Sequence, residues 1–546
     1  MTIKMININI PTNKFWKKYE NGINKLWFKG YLNSHSIENL FNTCKVIKEN
    51  EISSFVLSLE GHFAFIFQRD DFVLLAVDKI RSCPLFFTKI KNDIYIDHNP
   101  NSLVDFKDFN KIINESAKIE MAMSGFTIGN KTLYKNLHSL KAGEIVMFKN
   151  NKFKYVQYYR YFGEIFYQSF DDYLKELSAV TLKIFKNILN DIGDRQIIIP
   201  LSGGSDSRLI VSILRHLGAK NVKCYSYGTP SNFESKIAKK VSEKLGYEWI
   251  FIPLTIKSEK KYYRSKEYQD FLKFSESFSA VPFIQSLSSV KYLKKINWIK
   301  EDAIFINGLS GDFISGGHTQ ESFSDNFKNT SELRQKNIIN QLVDKHFSLW
   351  GYLKINKNLD DIKNSLLNEI KSGCGDFIKT DQDHLTYEYA ELIGRQSKYV
   401  LKKQRIYEFY GYDWRLPFWD DQYLYFWQKV PLKYKLKQKL YKEMLKKNNY
   451  GDVWGDEFIA NEKAITPKWI IPLRIICKIP FSFFGIRGKK AWKQFDINFF
   501  KYFMSIPHTW DMFNYFRVIK DIFKKPRNSV SWQVEDYLKN LIDRKD

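Results

Sequence analysis

The spacing of apolar residues changes along the chain, and the changes divide it. Between residues 20 and 160 the apolar runs are short: Ser54-Phe-Val-Leu-Ser-Leu59, Phe63-Ala-Phe-Ile-Phe67, Phe72-Val-Leu-Leu-Ala-Val77 and Leu85-Phe-Phe87. Polar turns such as Gln68-Arg-Asp-Asp71 and Lys91-Asn-Asp93 separate them, which is the pattern of strands in a sheet-packed, β-rich region. Glu144–Phe148 and Phe153–Val156 flank the polar turn Lys149-Asn-Asn-Lys152 and predict a hairpin.

From Phe170 the period becomes helical, with Tyr173, Leu174, Leu177, Val180, Thr181 and Ile184 at helix spacing. A strand at Ile197–Ile199 then leads to a helix from Ser207, a strand at Val222–Tyr227, a helix over Glu234–Leu245 and a strand at Trp249–Ile252. Strands alternating with helices across short connections predict an α/β, doubly wound parallel sheet. Ligands of such sheets sit outside the carboxyl ends of the strands. Residues 256–465 read as mostly helical, with one more strand at Ala303–Asn307. Glu234 lies three residues after Ser231, the spacing of a capping box. The expected divisions are 1–165, 166–470 and a basic, apolar extension over 471–546.

Composition bounds the choices without making one. A chain of 546 residues with 44% hydrophobic and 16% aromatic content is folded and has more than one domain. The net charge of +25 favours an anionic partner, but the basic residues are spread rather than clustered. Cys44, Cys83, Cys224, Cys374 and Cys477 show no C-x-x-C spacing, which argues against zinc or a disulfide framework and suits a reducing cytoplasm. Residues 1–10 carry no signal-peptide pattern. Trp469–Phe484 is the most lipid-like stretch, but Pro472, Arg474, Lys478 and Pro480 interrupt it. Core packing is its expected use, and a peripheral contact at the inner membrane is left open.

The most specific chemistry lies at Pro200-Leu-Ser-Gly-Gly-Ser-Asp-Ser207, directly after the Ile197–Ile199 strand. A helix start offers free N–H groups and the positive end of the macrodipole to an anion. Gly203 and Gly204 permit close backbone approach, and Ser202, Ser205 and Ser207 add hydroxyl donors. Asp206 makes sense beside a phosphate when Mg²⁺ stands between them. No Gly-Lys-Ser/Thr follows, so this is not a Walker loop. It looks like the pyrophosphate loop of enzymes that split ATP into AMP and pyrophosphate. Asp312, in a glycine-rich turn after the 303–306 run, belongs at the same sheet edge and supplies a second carboxylate for the metal.

Four segments in order resemble the asparagine synthetase family, which includes β-lactam synthetases and lasso-peptide cyclases: Pro200–Ser207, Asn307-Gly-Leu-Ser-Gly-Asp312-Phe-Ile-Ser-Gly-Gly317, Gly411-Tyr-Asp-Trp-Arg-Leu-Pro-Phe-Trp-Asp420, and, more loosely, Asn461–Pro467. The resemblance covers roughly residues 25–470. It implies an ATP site on Ser202, Gly203, Gly204, Ser205, Asp206, Ser207, Gly308 and Gly311, and Mg²⁺ on Asp206 and Asp312. It also implies catalytic roles for Lys463, at the developing negative charge, and for Asp413, in place of a family glutamate. Arg415 and Asp420 are expected to brace the helical region. Leu309 and Phe313 stand where the family has glutamates, which alters the acceptor pocket and puts aspartate as substrate in doubt.

Phe28–Asn33, Gly61–Phe65, Asp78–Phe87 and Ser124–Tyr134 resemble the family's N-terminal glutaminase sandwich. Its nucleophilic cysteine is replaced by Thr2, and no cysteine precedes Cys44. The expectation is an inactive glutaminase-like domain at 1–165, with ammonia or an amine coming from elsewhere, including a separate glutaminase. The implied activity is ATP-dependent amide formation on a small or glycan-linked carboxylate, a sugar acid of surface-polysaccharide synthesis among the candidates. A glutamine-hydrolysing asparagine synthetase, a tRNA-adenylating enzyme and a non-catalytic scaffold are the competing readings. The sandwich pattern and the lack of a cysteine pair weigh against a nucleic-acid partner.

Overall fold

The computed structural model describes residues 5–328, 330–376, 379–459 and 467–543. The N-terminal region forms two sheets. Strands β1 (Met5–Ile8), β2 (Trp16–Asn21), β3 (Asn24–Leu32), β4 (Gly61–Gln68) and β5 (Val73–Val77) come first. They are followed by β6 (Phe86–Ile90), β7 (Asp93–Asp97), β8 (Leu137–Ser139), β9 (Glu144–Lys149) and β10 (Lys152–Gln157). One sheet runs β1-β7-β6-β8 and the other β10-β9-β5-β4-β3-β2. Phe63 and Phe65 of the larger sheet share a core cluster with Phe87, Ile94 and Ile96 of the smaller. The β9–β10 hairpin forms as expected, its turn made by Asn150 and Asn151 at positive φ. The 54–59 run is not a strand: Ile52–Ser58 is a helix that buries Ile52 and Val56, four apart on one face.

The second region carries β11 (Ile197–Pro200), β12 (Val222–Gly228), β13 (Glu248–Pro253), β14 (Ile304–Ile306) and β15 (Asp413–Arg415), in the order β13-β12-β11-β14-β15. Every pairing is parallel. Helices Ser205–His216 and Phe233–Leu245 connect the first three strands. The strand order reverses between β11 and β14, so the carboxyl ends of these two neighbours frame a crevice. Ser231 is not the cap of the second helix. It sits at φ +66°, and the Asn232 side chain accepts the Ser235 N–H instead.

Arg415 and Asp420 each make their own contacts rather than an ion pair with one another. Arg415 binds Asp191 and lies with its guanidinium 3.8 Å from the centre of the Tyr31 ring. Asp420 caps the next helix at the Gln422 N–H and accepts Asn33 Nδ2 at 3.3 Å. The segment therefore ties the parallel sheet to β3 and β4. Lys79–Asp421 and Lys29–Glu408, each 2.7 Å, complete the junction.

The expected extension splits in two. Residues 500–541 supply Tyr502, Trp510, Phe513, Val518, Trp532 and Leu538 to a core shared with Phe86, Leu103, Phe278 and Val281. Helices Ile471–Ser482 and Gly485–Phe499 instead leave Ile475, Ile476, Ile479, Phe483, Phe484 and Ile486 exposed, so Trp469–Phe484 does not pack as core. No helix among the described residues is long and apolar enough to cross a membrane.

Candidate functional site

The crevice between β11 and β14 opens into a cavity of about 690 Å³ lined by Ser202, Gly204, Ser205, Asp206, Ser207, Asn307, Gly308 and Leu309, among others. The Ser205–His216 helix begins here at Gly204 with no side chain capping its first turn. That leaves helix N–H groups for an anion at the cavity wall. Ser202 and Ser207 organise the loop: the Ser207 Oγ accepts the Ser202 N–H at 3.0 Å, and the Ser202 Oγ accepts the Gly204 N–H at 3.2 Å. Arg208, which carried no sequence signal, holds the loop from behind by donating to the carbonyls of Gly203 (3.0 Å) and Phe458 (2.6 Å).

Asp206 and Asp312 meet. The Asp312 N–H donates to Asp206 Oδ2 at 3.0 Å, and the Tyr441 hydroxyl donates to Asp206 Oδ1 at 3.1 Å. Glycines make this approach possible. A Cβ on Gly311 would lie 2.4 Å from Asp206 Cγ, and one on Gly308 would lie 3.0 Å from the Ser207 nitrogen. Gly311 therefore acts by admitting Asp206 rather than by lining the cavity. Burial and then the Asp312 charge push Asp206 up to about 7. Burial would also raise Asp312, but the hydrogen bond and charge of His318 outweigh it and hold the carboxyl below its ordinary value. His318 donates Nε2–H to Asp312 at 3.1 Å and Nδ1–H to Glu391, and Glu391 also meets Lys345 and His346. Burial would lower His318, yet its two carboxylate partners lift it to about 9.

The donor set fits Mg²⁺. The Asp206 carboxylate lines the cavity against the Asp312 backbone, and a hard cation would take the two carboxylates together with phosphate oxygens. Among the described residues no group of three or more His, Cys, Asp or Glu forms a metal cage by itself.

Other expected residues fall elsewhere. Asp413 opens β15 level with Ile304, at the amino end of β14, whereas Asp312 follows its carboxyl end. It pairs with Arg195 at 2.6 Å and lines a separate cavity with Lys14, Lys17 and Tyr31, away from the Ser202–Ser207 loop. Lys463 and Thr2 lie outside the described residues. Leu309 lines the main cavity, but Phe313 is buried against Trp419.

Sequence reasoning missed the far wall, made by Lys501, Met504, Ser505, Ile506, Pro507, Thr509 and Trp510. Thr229 holds this wall: its N–H donates to Ile506 O at 3.1 Å and its hydroxyl to Ser505 O at 3.0 Å. Lys403, Glu234 and Gln285 also reach the cavity, and burial brings Lys403 down to about 8.

A family model described as asparagine synthase matches residues 192–467, and one described as a glutamine amidotransferase domain matches residues 45–159. The chain belongs to the asparagine synthase family. It is similar to the microcin J25-processing protein McjC of Escherichia coli, at 26% identity over 285 residues, or 51% of each chain. The match thus spans about half the length of that curated relative. Among solved structures it is similar to the allosteric regulatory enzyme of purine biosynthesis, at 10% identity and TM-score 0.19, covering 46% of this chain and 73% of that one. It is also similar to glutamine phosphoribosylpyrophosphate amidotransferase from B. subtilis, at 9% and 0.18, covering 54% and 64%.

Proposed function

We propose that the chain is an ATP-dependent ligase that forms amide bonds through an acyl-adenylate. The observation that carries this is the meeting of Asp206 and Asp312 at the β11–β14 crevice, beside an uncapped helix start and an open cavity. Ser202–Ser207 would hold the triphosphate, and Asp206 and Asp312 would hold Mg²⁺, which when bound screens charge on the departing pyrophosphate. A substrate carboxylate oxygen bonds to the α-phosphorus as the bond to pyrophosphate breaks. Ammonia or an amine then bonds to the acyl carbon, AMP leaves, and the nitrogen loses a proton. The wall from Lys501 to Trp510 would keep water from the adenylate. Lys463 keeps its proposed role at the developing charge, on the resemblance of its segment.

McjC is named for processing microcin J25, which is the reason to test a peptide as acyl donor, and the sugar acid remains the competing substrate. The test is exchange of labelled pyrophosphate into ATP, measured with peptide and uronic-acid panels. Acid-dependent exchange is expected, and its absence with every acid would remove the reading. We take the N-terminal sheets as scaffold. Burial pushes the Cys44 and Cys83 thiols up to about 12, so neither is a ready nucleophile. Asp78 is spent accepting the N–H groups of Phe63, Ile80 and Ser82. The amidotransferase match favours glutamine hydrolysis as a second reading. Glutamate release from glutamine that disappears in Thr2→Ala would establish it.

A further inference from the structure

The helices Ile471–Ser482 and Gly485–Phe499 form a hairpin whose inner face is already satisfied. Phe481, Trp492 and Phe495 pack ring to ring at 5.4–5.9 Å, and Arg474 binds Asp496 at 2.7 Å. The apolar side chains outside that contact face water. Phe483 is 81% exposed, Phe484 69% and Ile486 78%, and all three sit at the turn. Trp469, Ile471, Leu473, Ile475, Ile476 and Ile479 extend the strip along the first helix. Such a patch marks an interaction surface.

Charge says what covers it. From residue 468 to 495 there is no acidic residue, while Lys468, Arg474, Lys478, Arg487, Lys489, Lys490 and Lys493 are basic. Among the described residues Arg474 is the one of these that meets an acid, Asp496. Bulky apolar tips ringed by lysine and arginine, on helices too short to span, match a segment lying in the headgroup region of an anionic bilayer. A protein partner with this chemistry would need acids beside every apolar contact, whereas an anionic lipid surface supplies both over its whole area.

We infer that this hairpin docks the protein on the surface of an anionic membrane, with the Phe483–Ile486 turn inserted among the headgroups. This is independent of the ligase reading and places the cavity near a lipid surface.

The test is co-sedimentation of the full chain with phosphatidylcholine vesicles, with and without phosphatidylglycerol, across a salt series. Binding that needs phosphatidylglycerol and weakens with salt is expected. The double substitution Phe483→Ser, Phe484→Ser should lower the partition coefficient by about tenfold or more, as should Lys489→Gln with Lys490→Gln. Because these side chains are exposed, the variants should fold, and an unchanged melting temperature checks it. The inference is overturned if the wild-type chain ignores anionic vesicles, or if it binds neutral ones equally. It is also overturned if the serine variant instead dissolves a dimer of the wild-type protein, since the patch would then belong to a second copy.

Discussion

Of the places where charged groups are buried in this protein, two treat them in opposite ways. At the junction of β3 and β4 with the 408–421 segment, Lys29 meets Glu408 and Lys79 meets Asp421, each at 2.7 Å. At the carboxyl edge of the parallel sheet, Asp206 and Asp312 meet each other, and their partners are a tyrosine hydroxyl, a histidine and backbone N–H groups. The junction has balanced its charge and can only hold the structure together. At the edge His318 meets the Asp312 carboxylate, while Asp206 is met only by neutral donors, a tyrosine hydroxyl and a backbone N–H. The proposed cation would stand against Asp206, which makes no ion pair with a basic side chain among the described residues.

The largest effect that could break this contrast is on activity. Asp206→Asn should lower pyrophosphate exchange by on the order of 10²- to 10³-fold, as loss of a pre-organised charge partner does. It should leave the melting temperature unchanged or raise it, because a like-charge contact is relieved. Glu408→Gln should do the reverse. It strands Lys29 and Arg405 in a buried junction at a cost of about 3–5 kcal/mol, while the folded fraction keeps its exchange rate. Thermal melts and exchange assays on the two variants decide it. An Asp206→Asn protein that melts early yet still exchanges pyrophosphate would reverse the assignment.

Acid sharpens the same point. Burial would raise Glu408, but the charges of Lys29 and Arg405 outweigh it and hold the carboxyl down at about 2, against 4.5 unpaired. A folded value below the unfolded one means that the junction's contribution is complete above about pH 4.5 and is lost as pH falls toward 2. The loss should approach roughly 3 kcal/mol. Denaturant melts across that window should show the slope in the wild type and a flatter one in Glu408→Gln.

Gly311→Ala should have a smaller effect. Its Cβ would stand 2.4 Å from Asp206 Cγ, and separating them costs about 1–3 kcal/mol of overpacking. The variant should lose exchange along with stability, because the residue displaced is the site carboxylate itself. Loss of stability with full exchange would show that the Asp206–Asp312 contact is packing and nothing more.

How much of this was legible in the sequence depends on how local the signal was. Asp206 and Asp312 each follow a short apolar run and sit in a glycine turn, so sequence alone places each at a strand's carboxyl end. The parallel β11–β14 pairing then brings them together. Ile52–Ser58 misled because a short apolar run fits either period, and only the packing of Ile52 with Val56 selects the helix. His318 and Glu391 were invisible because a contact 73 residues apart leaves no local pattern. The Lys501–Trp510 wall was invisible for a related reason: backbone carbonyls attach it to Thr229, and any sequence supplies carbonyls.

Asp413 carries the last and smallest prediction. Its motif resembles one whose glutamate serves the reaction, with an aspartate in the glutamate's place. The strand Asp413–Arg415 has three residues, and its pairing sets Asp413 beside Ile304 and Arg415 beside Ile306. Residue identity can match a motif while register decides which end of the sheet the side chain occupies. With Arg195 at 2.6 Å and both side chains about 30% exposed, Asp413 makes a solvent-screened ion pair. Asp413→Asn should therefore cost within about 1 kcal/mol of stability and leave pyrophosphate exchange within about twofold of wild type. A hundredfold loss of exchange in a normally melting Asp413→Asn protein would mean that the working site extends to both ends of β14, and that the separation between the two regions fails.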